Sequence, residues 1–105
     1  MKPEYSIITA TFPDKDSAKE VAHLLVEKRL AACVQILPIE SVYLWEGKVC
    51  DESEMMLIIK SKAALFDEIT TAIKTVHSYQ VPEIVQLPIT DGLPEYLRWI
   101  GECVE

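Results

Sequence analysis

The stretch ACVQILPIESVYLW, Ala32 to Trp45, restricts the fold more than any other part of the chain. It is rich in β-branched and aromatic residues, reads as a strand, and runs into WEGK, Trp45 to Lys48, a tight turn of the hairpin kind. Lys48 to Lys60 then returns as the partner strand. Extended, the first strand spans about 46 Å, whereas the usual strand has roughly five or six residues. A compact chain of 105 residues is only about 33 Å across. The hairpin therefore outreaches its own domain. A rival reading breaks the strand at Pro38, a residue that marks bulges and edges, and places the two halves in different sheets.

The hairpin tip carries Val42, Tyr43, Leu44 and Trp45, apolar groups that a lone two-stranded ribbon would leave in water. Another copy of the same chain is the simplest cover, because a closed symmetric assembly pairs its edges. Trp45 accordingly reads as an interface anchor. Periodicity alone does not count the subunits.

The remaining elements follow from spacing. Tyr5 to Phe12 forms a first strand that stops at Pro13, and Asp14 or Asp16 caps a helix with Ala18, Val21, Ala22 and Leu25 on its inner face. Glu20, His23 and Glu27 fall on the opposite, solvated face. A second helix, about Lys62 to Val76, carries Leu65, Ile69, Ala72, Ile73 and Val76 on one side. Pro82 introduces a strand, Glu83 to Ile89, and Pro94 opens a last helix with Leu93, Tyr96, Leu97 and Ile100 as its buried stripe. The order β-α-β-β-α-β-α predicts one α+β domain over residues 1–105. Its expected form is a ferredoxin-like sandwich with helices on one face of an antiparallel sheet and an additional C-terminal helix.

Charge removes several functions. Seventeen acidic against ten basic residues give a net charge of −7, which repels a phosphate backbone or an anionic lipid surface. Nucleic acid and membrane are not expected partners, and no apolar run approaches the ~20 residues of a membrane helix. Cys33, Cys50 and Cys103 are odd in number, far apart and without a CxxC pair, and no signal peptide is read at the start, so a cytoplasmic, reducing location with free thiols is expected. Three glycines cannot build a phosphate cradle, and GxSxG, P-loop and GxGxxG motifs are absent. Enzymatic activity is not expected.

The candidate site centres on VHSYQVPEIVQLPI, Val76 to Ile89. A neutral imidazole at His77 suits copper, nickel or zinc. Glu83 can add a carboxylate oxygen, Tyr79 a phenol, and Cys33 a sulfur if the fold brings its strand close. The bland alternative places His77 and Tyr79 at a helix C-terminus, with the ring complementing the dipole and the tyrosine packing. The run Asp51, Glu52, Glu54 lacks the spacing and glycine of a calcium loop and reads as a solvated face.

Taken together, RLAACVQILPIESVYLWEGKV (Arg29 to Val49), MMLIIKS (Met55 to Ser61), HSYQVPEIVQLPI (His77 to Ile89) and YLRWI (Tyr96 to Ile100) closely resemble the divalent-cation-tolerance proteins of the CutA family. The match runs through nearly the whole chain in order and spacing. The resemblance implies a tight homotrimer in which long hairpins embrace neighbouring subunits, a link to tolerance of copper and other divalent cations, and a likeness to PII-type signalling proteins. Some bacterial members are associated with copper through a first-strand cysteine and two adjacent histidines. Here those positions are Ala10, Val76 and His77, so one of three ligands is present.

Two functions follow. The first is a trimeric, non-enzymatic metal-tolerance protein binding copper or another divalent cation weakly through His77, Glu83 and Cys33. The second is a small-molecule sensor whose clefts between subunits are lined by Trp45, Lys60, His77, Tyr79 and Glu83. A hydrolase or isomerase using His77 and Glu83 as acid and base ranks last, since no nucleophile accompanies them.

Overall fold

A computed structural model describes residues 3–104. Strand β1 (Tyr5–Phe12) leads into helix α1 (Lys15–Glu27), followed by β2 (Cys33–Trp45), β3 (Lys48–Lys62), helix α2 (Phe66–Val76), β4 (Ile84–Pro88) and helix α3 (Pro94–Cys103). All strand pairs are antiparallel, and the sheet order is β2-β3-β1-β4. Both β2 and β4 are therefore edge strands.

The β2–β3 register runs without interruption from Cys33↔Lys60 to Trp45↔Lys48, and Pro38 lies opposite Met55 within it. The ribbon is thus one continuous piece, and the alternative of a strand broken at Pro38 is overturned. An edge strand tolerates the missing N–H because only one of its sides is paired. Between the strands, Glu46 (φ 50°) and Gly47 (φ 79°) both adopt left-handed backbone, as a two-residue turn matched to strand twist requires. The ribbon stretches the molecule to 44 × 27 × 22 Å.

One face of the sheet presents Ile8, Ala10, Phe12, Leu57 and Ile59, and the expected stripe of α1 closes over it together with Leu65, Ile69, Ala72 and Ile73. Helix α1 starts where the Asp14 carboxylate accepts a hydrogen bond from the Ser17 N–H at 2.8 Å, which satisfies a donor that the first turn leaves free. It ends at Glu27, and two residues on Arg29 is held at φ 59°, its guanidinium donating to the carbonyls of Glu102 and Cys103 at the end of α3. The second helix begins later than expected. Ala63–Leu65 is a 3₁₀ turn that follows directly on the extended β3, and Lys62 itself is still strand.

The opposite face of the sheet carries Ile7, Met56, Ile58, Leu37 and Ile39 in the alternate strand positions, with Val85 and Leu87 of β4 in the same rows. Among the described residues, no helix covers this row except at one end, where α3 crosses. There, Gly101 approaches Tyr5 so closely that a Cβ would sit 2.9 Å from the Tyr5 hydroxyl. Of the stripe expected on α3, only Ile100 is buried, while Leu93 and Tyr96 remain exposed. The helix lies over the sheet end by its last turns, so its first turn reaches into solvent.

Candidate functional site

The segment from His77 to Glu83 leaves α2, passes the open end of β1 and enters β4, and it faces the lower half of the ribbon. Between them lies a cleft of about 700 Å³ whose lining includes Thr11, Tyr43, Trp45, Cys50, Glu52, Glu54, Tyr79 and Glu83. Strand parity explains the ribbon's share. Tyr43 pairs with Cys50, and Trp45, Glu52 and Glu54 lie in the same alternate rows, so all five point to one side of the ribbon.

His77 is turned away from this cleft. Its ring stacks on Phe12 and tilts against Tyr79, with centroids 4.6 Å away in each case. The Nε2 atom meets the Thr11 carbonyl at 2.5 Å, and Nδ1 lies 3.0 Å from the Tyr79 backbone N–H. A carbonyl only accepts and an N–H only donates, so the ring is the neutral tautomer protonated at Nε2. Both nitrogens are engaged, and in this arrangement no ring lone pair reaches a metal.

Tyr79 and Tyr43 each hold a carboxylate. The Tyr79 hydroxyl donates to Glu54 at 2.8 Å, and the Tyr43 hydroxyl donates to Glu52 at 2.8 Å. Burial first, and then the Glu54 hydrogen bond, push the Tyr79 phenol above its ordinary pKa. At Tyr43 the hydrogen bond to Glu52 is the larger cause, and its pKa is pushed up to about 12. Glu54 is 7% exposed, so the acidic run of β3 is not wholly a solvated face. The clue available in sequence was strand alternation, which puts Glu52 and Glu54 in the same row as Met56 and Ile58.

The structure brings together Trp45, Tyr79 and Glu83 of the expected site and sets Lys60 and Cys33 apart. These two pair with each other across β2 and β3 at the far end of the ribbon, where Lys60 stands 5.5 Å above the Tyr96 ring. Lys60 lies six residues along β3 from Glu54, or roughly 20 Å of extended strand. Within one chain, Cys33 therefore lies toward the end of the ribbon away from the cleft, and neither Cys33 nor Lys60 is among the residues that line it. Among the described residues, no group of three or more His, Cys, Asp and Glu side chains is placed to hold a metal ion. Sequence reasoning did not single out Thr11, Tyr43, Glu52 and Glu54 as cleft residues.

An antiparallel four-stranded sheet with a long ribbon and three helices defines the class, and comparison with known proteins supplies the family. Residues 6–103 match the family described as CutA1 divalent ion tolerance protein, and the chain belongs to that family. It is 42% identical to the divalent-cation tolerance protein CutA of Thermus thermophilus, over 91% of this chain and 94% of that protein. Identity with the chloroplastic CutA of Arabidopsis thaliana is 45% over 90% of this chain. The chain spans about half the length of that plant relative and of the mouse one. The structure of the periplasmic divalent cation tolerance protein CutA from Archaeoglobus fulgidus superposes with a TM-score of 0.94 at 42% identity, covering 96% of this chain and 99% of that one. CutA1 from Shewanella sp. SIB1 gives a TM-score of 0.94 at 40% identity, covering 99% and 98%.

Proposed function

We propose that the chain acts in divalent-cation tolerance as a non-enzymatic homotrimer of ferredoxin-like subunits, and that it meets divalent cations, copper among them, weakly at the cleft. The observation that carries this reading is the cleft's charge: Glu52, Glu54 and Glu83 line it, with no basic side chain among the described residues of the lining. Family membership supplies the link to divalent cations. The ferredoxin-like reading rests on the sheet order β2-β3-β1-β4 combined with β-α-β-β-α-β connectivity. Assembly is supported by the sheet face that α3 covers only at one end and by the protruding ribbon, and the number three by the family likeness.

Because His77 is occupied within its own subunit and no three such side chains converge, a cation in the cleft meets single carboxylates such as Glu83, and water completes the coordination. Titration calorimetry with copper(II) and zinc at neutral pH tests this. Binding is expected to be weak in the wild type, weaker in Glu83→Gln and retained in His77→Ala. Loss of binding in His77→Ala alone would return the ligand role to the imidazole. The free thiols Cys33, Cys50 and Cys103 support a reducing, cytoplasmic location, which cell fractionation checks.

A second reading, a PII-like sensor of a small molecule, is favoured by one specific observation. The cleft's volume of about 700 Å³ suits an organic ligand and far exceeds a single ion.

A further inference from the structure

We propose that Asp91 and Gly92 form a backbone modification site: the Asp91 side chain closes on the Gly92 nitrogen and reopens as isoaspartate, which resets the entry into α3. The site is independent of the cleft and of the ribbon tip. It follows β4 at the Ser6 end of the sheet, whereas the cleft and the tip lie toward and beyond the Phe12 end.

Sequence singles out this pair. Asparagine is absent, and of Asp14, Asp16, Asp51, Asp67 and Asp91 only the last is followed by glycine. Glycine has no Cβ to shield its nitrogen, so a neighbouring carboxyl group approaches it closely. The fold separates the same residues further. Asp16 and Asp67 sit in the first turns of α1 and α2, Asp51 lies within β3, and the Asp14 carboxylate is engaged as the cap of α1. Asp91 lies between Pro88, where β4 ends, and Pro94, where α3 begins, and it is exposed. Its Oδ1 accepts from the Gly92 N–H at 2.9 Å, so the amide nitrogen already stands beside the carboxyl group that it attacks. Among the described residues, no cation holds that carboxylate.

The chemistry needs only water. In the protonated carboxyl group the Gly92 nitrogen bonds to Cγ, the Cγ–OH bond breaks, and the hydroxyl leaves as water with the amide proton. Water then opens the five-membered imide at one of its two carbonyls and returns the oxygen and hydrogens that were lost. Opening at Cγ restores aspartate. Opening at the former backbone carbonyl leaves Gly92 joined through Cγ and frees an α-carboxylate, with no change in mass.

The isomer carries one more backbone carbon, or about 1.5 Å of path. Both ends of the loop are pinned. The Ile89 N–H donates to the Tyr5 carbonyl at 3.0 Å, and the Leu93 carbonyl accepts from the N–H groups of Tyr96 and Leu97 at 3.0 and 3.1 Å. Because no side chain caps α3 at Leu93, the extra carbon falls on the first turn of the helix, while Arg29 still holds its last carbonyls.

Incubating the intact assembly in warm, mildly acidic buffer and mapping its peptides tests the proposal. The peptide holding Asp91 is expected to split into two species of equal mass, one of them resistant to a protease that cleaves before aspartate. Peptides holding Asp14, Asp16, Asp51 and Asp67 should stay single. Asp91→Glu keeps the charge but needs a six-membered ring, and should give no second species; Gly92→Ala should slow the reaction severalfold. Amide exchange at Tyr96 and Leu97 should quicken in the isomerised chains. A single Asp91 species in the assembly, while a short peptide of residues 89–93 isomerises alongside it, would show that the fold protects the pair and would overturn the proposal. Equal accumulation at another aspartate would overturn the selectivity, and unchanged exchange at Tyr96 and Leu97 would overturn the effect on α3.

Discussion

Tyr43 and Tyr79 hold neighbouring carboxylates through their phenolic protons, so removing either proton sets two negative charges against each other. Both folded-state pKa values are raised, that of Tyr43 from 10.0 to about 12. The sign follows from linkage: the stabilisation is complete below the ordinary phenol value and is lost as pH climbs toward the folded one. Urea unfolding between pH 10 and 12 should therefore show a fall in stability that Tyr43→Phe and Tyr79→Phe flatten. An identical slope in the double variant would deny the phenols this role. At this scale the sequence was legible only in part. The types at His77, Tyr79 and Glu83 announced a site, but the direction in which His77 points depends on Thr11, 66 residues away, and no local pattern carries that. Glu54 was hidden for a related reason, since the hydroxyl that meets it belongs to Tyr79, 25 residues away.

At the level of elements, the turn of the ribbon offers the cleanest test. A Cβ on Gly47 meets nothing within 4 Å, so any cost of Gly47→Ala comes from its φ of 79° alone. That cost is about 1 kcal/mol, and it should appear as faster amide exchange at the ribbon tip, Val42 to Cys50. Protection equal to wild type would mean that the turn does not hold the register. Strand and helix periods were clear in the sequence: the inner stripe of α1 is Ala18, Val21, Ala22 and Leu25, as spacing predicts. Helix α3 misled because an amphipathic stripe states which side is apolar without stating what covers it. Tyr96 and Trp99 stack on each other at 5.5 Å on the exposed surface.

For the whole molecule, the ribbon tip sets the expectation. Val42, Leu44 and Val49 are 69%, 72% and 74% exposed, and the second sheet face carries an apolar row of Ile7, Leu37, Met56, Ile58, Val85 and Leu87 at its middle. Light scattering should report about three times the 11.9 kDa chain mass, and Trp45→Ala, at a side chain still 40% exposed, should loosen assembly with little change in the fold. A monomeric mass at micromolar concentration would contradict both expectations. The element order was readable because each strand and helix carries its own period, whereas the neighbour order β2-β3-β1-β4 reflects packing between distant segments. That order also has a kinetic consequence. The ribbon can zip outward from its turn through residues close in sequence, but β4 joins β1 only after a long loop closes, with Ser6 and Gln86 80 residues apart at their hydrogen bond. The strand that follows the cleft segment is thus expected to join the sheet last, so the packing of residues 77–83 bears on the slowest closure of the chain.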